Sequence, residues 1–525
     1  GALNLAVAGK LAVANPLVYQ GPRAFIQILA NTPDDRTQFL MDLKGGDLRY
    51  DHVEMVNAHS GTLIFRYPEL KTDHGFNISF TPDKLGKLAF GMTQEDGILA
   101  LNKLSGDAWI KCPEDMDQID LVDAGDEPGQ VVVLGQRDGA GPRPLEFMDA
   151  ATGKPGEVIL QDKGYDFAGW LFRDPLSHDI VGAVYNRAAP HVVWFTQAYR
   201  DLQAVVDKLF PNQIVRILGM DDSGKILLIS SGSDRQPVVF SWVNLEKHTS
   251  GLIKSSAPWI DPKRMMPTGI IKYTTAEGRQ LDAYLTLPAN ASKKNPPPLV
   301  VIPHGNEEAR WIWGYNPEVQ FFASRGYAVL QPNYRGSAGY TWMFPEEESW
   351  DFRKMNDDVA AATKKAIDMG LVDRTRVAIV GAEFGGYLAV AGTALEPGLY
   401  KCAVATSALF DWGRYIKESK IRQYSDATYS RYLRKLGDPS RDQERYDAMS
   451  PLPHAAQIHS ALLIAWGEYD DPELISESRD MASAAQRNGN VVETESFLNE
   501  SYGVHHLDHK IELYQHIEAF LAKNL

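Results

Sequence analysis

The chain has 525 residues, of which 44% are hydrophobic and 23% are charged. This composition is typical of a folded globular protein of several domains, and it excludes a disordered, collagen-like or coiled-coil chain. With 53 Lys and Arg against 68 Asp and Glu, the net charge is −15. That balance argues against nucleic acid or an anionic membrane as the main partner.

The first apolar segment, residues 2–18, is interrupted by Lys10 and Asn15. A membrane-spanning helix needs about 18 apolar residues in a row, so we expect no segment that crosses a bilayer. The segment lacks the basic start of a signal peptide, and the sequence leaves the compartment open. Cys112 and Cys402 lie in different predicted domains, so we expect buried free thiols rather than a disulfide or a cysteine-based metal site.

Residues 1–260 are predicted to form an all-β domain. Short runs of Val, Ile, Leu, Phe and Trp alternate with tight-turn signals, which indicates consecutive β-hairpins. Hairpins recur about every 40 residues, which favours the four-stranded blades of a β-propeller and leaves a β-sandwich open as the alternative. The pattern does not fix the number of blades. In three predicted hairpins a turn is flanked by residues 87–90 and 98–101, by 131–135 and 145–148, and by 226–230 and 238–242.

Residues 261–525 alternate strands with helices, which predicts an α/β domain with a doubly wound, mostly parallel sheet. The predicted strands are 299–302, 328–331, 377–380, 403–406, 462–466 and 491–497. The predicted helices are 352–369, 474–487 and 508–523. The first and the last helix should each bury one apolar face. Those faces comprise Met355, Val359, Ala362, Ala366 and Met369, and Ile511, Tyr514, Ile517, Phe520 and Leu521.

One strand of this domain leads directly into a glycine-bearing turn and a helix of small residues, Arg376-Val-Ala-Ile-Val-Gly-Ala-Glu-Phe-Gly-Gly-Tyr387. This is the pattern of a nucleophile elbow, in which a strained turn holds a side chain above the carboxyl edge of the sheet. The tip position carries Glu383. Upstream, another strand ends where an α/β hydrolase builds part of its oxyanion hole. We place His304, Gly305, Asn306 and Phe384 at this oxyanion or binding site.

On these motifs the chain resembles the prolyl oligopeptidase family of serine peptidases over residues 268–525. That family joins an N-terminal β-propeller to a C-terminal α/β-hydrolase domain, so the resemblance implies the same architecture here. Weaker similarity at residues 182–185 and 233–235 extends it into the N-terminal half. The motifs that carry the resemblance include Leu285-Thr-Leu-Pro288, His304-Gly305, Gln331-Pro-Asn-Tyr-Arg-Gly-Ser337 and Gly385-Gly-Tyr387.

By position, the resemblance places the family's catalytic Ser, Asp and His on Glu383, Asp470 and Tyr502. The oxyanion loop also departs from the family's pattern, because Asn306 and Glu307 stand where the family usually has Gly and Pro. Serine chemistry needs a hydroxyl nucleophile and a base that titrates near neutral pH, which a carboxylate and a phenol with a pKa of about 10 do not supply.

We therefore expect a peptidase-like protein that lacks serine peptidase activity and uses no cofactor or metal. Its expected partner is a peptide or another small ligand in a cavity between the two domains, with Arg310 as a candidate for a peptide carboxylate or for a surface ion pair. Trp311, Trp313 and Trp412 either line that cavity or only pack against other side chains there. The oligomeric state is left open.

Two other interpretations remain. In one, a rewired hydrolase uses Glu383 as nucleophile or base, with Tyr502 as acid and Asp470 beside them. An ester on Glu383 would need a base for its hydrolysis, and a loop shift of about three residues would bring His505 into place. Otherwise His505, His506 and His509 are surface residues at the start of the last helix. In the other interpretation, an active serine peptidase has been altered at positions 383 and 502. For an inactive site we predict that the Tyr502 phenol donates to Glu383 or Asp470.

Overall fold

The computed structural model describes residues 25–31, 37–44, 51–57, 59–72, 75–95, 98–113, 119–135, 141–221, 223–418 and 426–525. These residues form two compact units. One contains the described residues up to Tyr185 together with His191–Leu202, and the other contains Asn186–Pro190 and those from Gln203 to Leu525. None of the described helices is long and apolar enough to span a bilayer.

The N-terminal half of the described chain contains five sheets whose strands lie side by side in chain order. Each sheet is therefore a meander of consecutive hairpins, as the turn signals predict. The three predicted hairpins are present, and the sheets are blades of the predicted β-propeller. Two of the predicted turns, at 95–97 and 138–139, lie wholly or partly outside the described residues.

The blades have the following strands. The first has β1 (Phe25–Asn31), β2 (Gln38–Lys44), β3 (Asp51–Asn57) and β4 (Leu63–Arg66). The second has β5 (Gly75–Pro82), β6 (Leu88–Glu95), β7 (Ile98–Ser105) and β8 (Ala108–Lys111), and the third has β9 (Asp120–Ala124), β10 (Gln130–Leu134), β11 (Leu145–Asp149) and β12 (Lys154–Leu160). The fourth has β13 (Gly169–Arg173), β14 (Ile180–Asn186) and β15 (Pro190–Trp194), and the fifth has β16 (Ile214–Met220), β17 (Ile226–Gly232), β18 (Val239–Asn244) and β19 (Thr249–Ser255).

Neighbouring blades bury apolar side chains against each other. Phe90 and Leu101 of the second blade share one core cluster with Val131 and Met148 of the third. The third and fourth blades share a second cluster that includes Val132 and Ala183. Cys112 is buried in the first cluster as a free thiol, which confirms the prediction for this residue.

The second unit is built on an eight-stranded sheet with the order β20-β21-β23-β22-β24-β25-β26-β27. The first two strands are antiparallel to their neighbours, and the sheet is parallel from β23 to β27. All six predicted strands are present, which confirms the mostly parallel sheet. The strands are β20 (Thr268–Thr274), β21 (Gln280–Thr286), β22 (Leu299–Val301), β23 (Ala328–Pro332), β24 (Val377–Ala382), β25 (Cys402–Thr406), β26 (Ala461–Gly467) and β27 (Val492–Phe497).

Helices connect these strands, and the three predicted ones are present. The α-helices of the described chain are α1 (Gln197–Leu209), α2 (Pro317–Ser324), α3 (Glu346–Ser349), α4 (Phe352–Asp368), α5 (Phe384–Leu395), α6 (Trp412–Glu418), α7 (Asp426–Leu436), α8 (Gln443–Met449), α9 (Pro472–Arg487) and α10 (Leu507–Asn524). In α4 the predicted face is buried except for its half-buried last member, Met369, and Gly370 follows at φ 66° as the predicted stop.

The predicted buried face of α10 is wrong at one position. Ile511 is exposed, and Leu513 is buried instead with Ile517, Phe520 and Leu521. A spacing of three or four residues fits both choices at the first turn of a helix, so the sequence alone does not fix the phase there.

The central strands β22, β24, β25 and β26 are almost entirely buried, as strands covered by helices on both faces must be. Parallel strands bring their carboxyl ends to one edge of the sheet. The loops that leave this edge carry the residues singled out by the sequence.

Candidate functional site

Glu383 occupies the tip of the turn between β24 and α5. Its backbone adopts φ 52° and ψ −123°, a conformation that non-glycine residues rarely take. The Glu383 N–H donates to Thr406 O on the neighbouring strand at 2.8 Å, and the Glu383 carbonyl accepts from Tyr387 N at 3.0 Å to start the helix. The turn therefore has the geometry of a nucleophile elbow.

Small residues allow this turn to pass close to its neighbours. A Cβ atom added to Gly381 would lie 2.3 Å from the Gly385 backbone, and one added to Gly385 would lie 2.6 Å from Pro303 O. Glycine is thus required at both positions by contact distance alone. The glycines of the sequence motif are explained by the fold, whatever side chain stands at the tip.

The Glu383 side chain is exposed above the edge of the sheet. Partial burial of the carboxyl group raises its pKa, the charge of His505 opposes this effect, and the charge of Asp470 adds to it. The tip of the elbow is therefore an accessible carboxylate with acidic and basic neighbours, and it offers no hydroxyl for acyl transfer.

His304, in the loop after β22, is a structural residue. It is buried, and desolvation lowers its pKa to about 3, so the imidazole is neutral at physiological pH. Its Nδ1 lies 2.7 Å from the carbonyl of Asn306, which can only accept, so Nδ1 carries the proton and Nε2 accepts from Ser337 Oγ at 2.8 Å. The ring also stacks on Tyr334 at 3.9 Å. These contacts fix the course of the loop.

This loop meets the elbow through the main chain. The N–H of Phe384 donates to Gly305 O at 3.2 Å. In an α/β hydrolase the N–H after the nucleophile is one of the two donors of the oxyanion hole. Here that donor already has a carbonyl acceptor, so it is not available to a developing oxyanion in this conformation.

The other predicted residues of this loop are also buried or bonded to other parts of the protein. Asn306 accepts from Glu308 N at 3.0 Å, and Glu307 is buried with a pKa that desolvation raises. Arg310 donates to the carbonyls of Asn186, Arg187 and Ala338, and its guanidinium lies 4.8 Å from the Tyr340 ring centre. Arg310 thus holds main-chain carbonyls in this structure.

Asp470 follows β26 and is buried, as an orienting acid would be. Its Oδ2 accepts from Gly467 N at 2.9 Å and from Ser407 Oγ at 2.8 Å, and its Oδ1 accepts from the N–H of Tyr502. The carboxylate thereby joins the carboxyl ends of β25 and β26 to the loop after β27.

The predicted hydrogen bond from the Tyr502 phenol to Asp470 or Glu383 is wrong. The group that donates to Asp470 is the Tyr502 backbone N–H, and the side chain is 67% exposed. Tyr502 adopts φ 52° in the tight turn before Gly503, which turns its amide inward and its ring outward. The phenol is therefore directed to solvent and does not substitute for the imidazole of a triad.

His505 is the histidine whose charge acts on Glu383. Its Nε2 lies 3.1 Å from the carbonyls of Ser501 and Tyr502, so Nε2 carries the proton that is shared with them. The structure thus brings Glu383, Asp470 and His505 to one edge of the sheet, and it leaves the Tyr502 side chain outside this group.

Sequence reasoning missed two residues of the site. Ser407 directly follows β25 at φ 48° and is buried. It donates to Asp470 and accepts from Gly503 N at 3.2 Å. Glu500 is buried after β27 and accepts the N–H groups of His505 and His506. The only signal for Ser407 was its place after a predicted strand, and the only signal for Glu500 was its place two residues before Tyr502.

Aromatic side chains pack behind the elbow. Phe384 lies 4.8 Å from Phe352 and 5.1 Å from Tyr387, and Trp412 lies 4.9 Å from Phe352, between ring centres. Phe384 and Trp412 are buried, so both support the turn from within the core.

Comparison with known proteins finds peptidases among the similar sequences. Residues 313–525 match the prolyl oligopeptidase family. The chain is 26% identical over 524 residues to dipeptidyl aminopeptidase BIII of Pseudoxanthomonas mexicana, covering 96% of this chain and 74% of that protein. It is 27% identical over 262 residues to the uncharacterised peptidase YuxL of Bacillus subtilis, covering 49% of this chain and 39% of that protein.

Solved structures share the fold. A puromycin-hydrolysing peptidase of Mycobacterium tuberculosis matches with a TM-score of 0.73 at 17% identity, covering 95% of this chain and 79% of that one. Dipeptidyl peptidase 4 of Porphyromonas gingivalis matches with a TM-score of 0.65 at 16% identity, covering 94% of this chain and 74% of that one. The β-propeller and the α/β-hydrolase sheet are thus shared with these structures, and residues 313–525 of the chain resemble the prolyl oligopeptidase family.

Proposed function

We propose that this protein is a peptidase-like member of the prolyl oligopeptidase family that lacks serine peptidase activity. We further propose that the site around Glu383 binds a peptide or another small ligand. The observation that carries the proposal is the carboxylate at the tip of an intact elbow. Attack on an amide by the serine mechanism requires an alkoxide precursor at that position. Glu383 supplies none.

Two further features support the loss of this activity. The Tyr502 side chain points to solvent and has no imidazole, so no general base stands at the triad position. The Phe384 N–H donates to Gly305 O, which removes one donor from the oxyanion hole. A change of one residue would therefore not restore the mechanism.

The charge of the site and the known relatives support a peptide with a free amine as the ligand. Glu383 is exposed and Asp470 lies near enough to affect its pKa, so the site favours a cationic group such as a peptide amine. One of the relatives reported above is a dipeptidyl aminopeptidase, which supports a peptide rather than a nucleotide or a sugar.

A fluorophosphonate probe tests the first part of the proposal. We expect no labelling of the purified chain when an active serine peptidase in the same reaction is labelled. We expect Glu383→Ser with Tyr502→His to stay unlabelled as well, because the Phe384 N–H remains bonded to Gly305. Labelling of the unaltered chain together with hydrolysis of aminoacyl chromogenic substrates would contradict the proposal.

Calorimetric titration with a tripeptide and its N-acetylated form tests the second part. We expect the free amine to bind at least tenfold more tightly than the acetylated peptide, and Glu383→Gln to remove that difference. Glu512→Gln, an exposed carboxylate on α10, is the matched control and should preserve the difference. Equal affinities for the two peptides would rule out a carboxylate that selects amines.

The position of His505 favours one second candidate, a rewired hydrolase. Glu383 would attack an ester, release its alcohol and form an acyl-enzyme anhydride, which water activated by His505 would hydrolyse to regenerate the carboxylate. Turnover of activated esters that Glu383→Gln abolishes and His505→Gln slows would support this candidate. Turnover that survives in Glu383→Gln would exclude it.

A further inference from the structure

A second cluster of side chains lies on the loop that carries Tyr502, and the proposed function does not use it. Glu500 Oε1 is 2.9 Å from Nδ1 of His506 and 2.8 Å from Nδ1 of His509. The three ligand atoms all lie within 4.8 Å of one another. In the part of the chain that the structure describes, this is the one group of three or more His, Cys, Asp or Glu residues that converges in this way.

The fold holds the three residues in place. His506 occupies the N-cap position of α10, and His509 follows three residues later on the same side of the first turn. The Glu500 side chain is 1% exposed and accepts the backbone N–H groups of His505 at 2.8 Å and His506 at 2.9 Å. The ring of His509 packs 5.4 Å from that of Phe497. A buried carboxylate fixed by main-chain donors is a preorganised ligand.

We propose that Glu500, His506 and His509 bind one divalent transition-metal ion of the zinc type. Two imidazole nitrogens and a carboxylate oxygen are a ligand set that suits Zn²⁺. Ligands about 2.0–2.2 Å from a tetrahedral ion lie roughly 3.3 Å apart. Each imidazole nitrogen therefore needs to withdraw from Glu500 Oε1 by about 0.5 Å, and the two nitrogens, which lie within 4.8 Å of each other, need to reach the same spacing. An imidazole that binds an ion through Nδ1 carries its proton on Nε2.

Solvent reaches the cluster. The His506 side chain is 62% exposed and that of His509 is 31% exposed, so an ion has an entry path and water can take the remaining position. The positive end of α10 opposes a cation, and the negative charge of Glu500 offsets it. Because Tyr502 and His505 lie between Glu500 and His506 in the chain, the ion would fix the loop beside Glu383.

A second histidine of α10 provides a matched control. His516 contacts Glu495 through Nδ1 and Glu493 through Nε2, both at 2.8 Å. This set has the same residue types, but its carboxylates lie against opposite nitrogens of one ring and cannot converge on one ion. Its loss should therefore leave metal binding unchanged.

The test is Zn²⁺ binding by the tag-free full chain after dialysis against EDTA, measured by calorimetry and by metal analysis. We expect one ion per chain, and at least a tenfold loss of affinity in His506→Gln with His509→Gln. Substituted Co²⁺ should give the intense visible bands of a tetrahedral site in the unaltered chain and in His516→Gln, and not in the double variant. Circular dichroism checks that each variant is folded.

Three results would overturn the inference. They are no Zn²⁺ uptake by the unaltered chain, equal affinity in the double variant, and loss of binding in His516→Gln. The first would show that the histidines only bond to Glu500, and the other two would place the ion elsewhere. None of these results depends on whether Glu383 binds a peptide, because no substrate is present.

Discussion

Asp470 receives the same kind of contacts that an orienting acid receives in an active triad, although Tyr502 rather than a histidine stands at the triad position. Its carboxylate accepts from Gly467 N, Ser407 Oγ and Tyr502 N. These bonds join two strand ends and a loop, so the residue has a structural task that does not depend on catalysis. Buried carboxylates with several donors are costly to remove, because the donors are left without acceptors.

We predict that Asp470→Ala lowers the free energy of unfolding by about 1.5–3 kcal/mol, the range for hydrogen bonds to a charged group. Urea denaturation at pH 7 measures it. Glu512→Gln, which removes an exposed carboxylate, should change stability by no more than about 0.5 kcal/mol. Equal effects of the two substitutions would mean that Asp470 does not hold the loop.

Glu477 on α9 links stability to pH. Its Oε2 accepts from Phe410 N at 2.7 Å and Asp411 N at 2.8 Å, and desolvation raises its pKa to about 8. The folded state therefore binds this proton more tightly than the unfolded chain does. Stability from this group is present at low pH and falls as pH rises from about 4.5 towards 8.

We predict that Glu477→Gln becomes more stable relative to the unaltered chain as pH rises from 5 to 8. The difference should grow by more than about 1.4 kcal/mol, which corresponds to one unit of pKa. Urea denaturation at several pH values measures it, and Glu512→Gln should show no such trend. A constant difference across this range would show that Glu477 is ionised in the folded state.

At the scale of the elements, a buried ion network connects the loop after β23 to α4. Arg335 is 1% exposed and contacts Asp358 through Nε at 2.8 Å and Glu277 through Nη2 at 2.9 Å. The Arg335 hydrogen bond holds the pKa of Glu277 at about 2. The buried partner Asp358 cannot be hydrated if the arginine is lost.

We predict that Arg335→Gln lowers the free energy of unfolding by about 3–5 kcal/mol, because it leaves Asp358 buried without a counter-charge. Arg353, which pairs with Asp357 on the exposed side of α4 at 3.2 Å, is the control. Arg353→Gln should cost no more than about 1 kcal/mol. Chemical denaturation of both variants distinguishes a buried network from a surface pair, and similar losses would contradict the assignment.

The sequence predicted the elements better than the orientation of side chains. Alternating strands and helices are set by the period of apolar residues, so the sheet from β22 to β27 could be read from the sequence. The sequence could not show that Ile511 of α10 is exposed or that the Tyr502 side chain points to solvent. A single left-handed residue reverses which group points inward, and no pattern of hydrophobicity reports it. For the same reason, the roles of Ser407 and Glu500 emerged only from the structure.

At the scale of the whole molecule, net charge limits the partners. The chain carries −15 at pH 7. Affinity for nucleic acid depends on basic residues that displace counterions from phosphates. An acidic protein has little of this driving force, so the composition argues against nucleic acid as a partner.

We predict no retention on heparin and no shift of a DNA duplex in a mobility assay at physiological salt. The physical reason is repulsion between like charges, which salt screens only beyond a Debye length of about 8 Å. Binding to a cation-exchange or heparin matrix that weakens with salt would reveal a local basic surface and would contradict this prediction.

The left-handed backbones of Glu383, Ser407 and Tyr502 have a consequence for protein engineering. Each conformation costs of order 1–3 kcal/mol for a residue that is not glycine. An untargeted screen for heat-resistant variants would therefore tend to select glycine at positions 383 and 502, whereas the bond from Ser407 to Asp470 favours keeping the serine. The easiest gains in melting temperature would then remove two side chains of the candidate site.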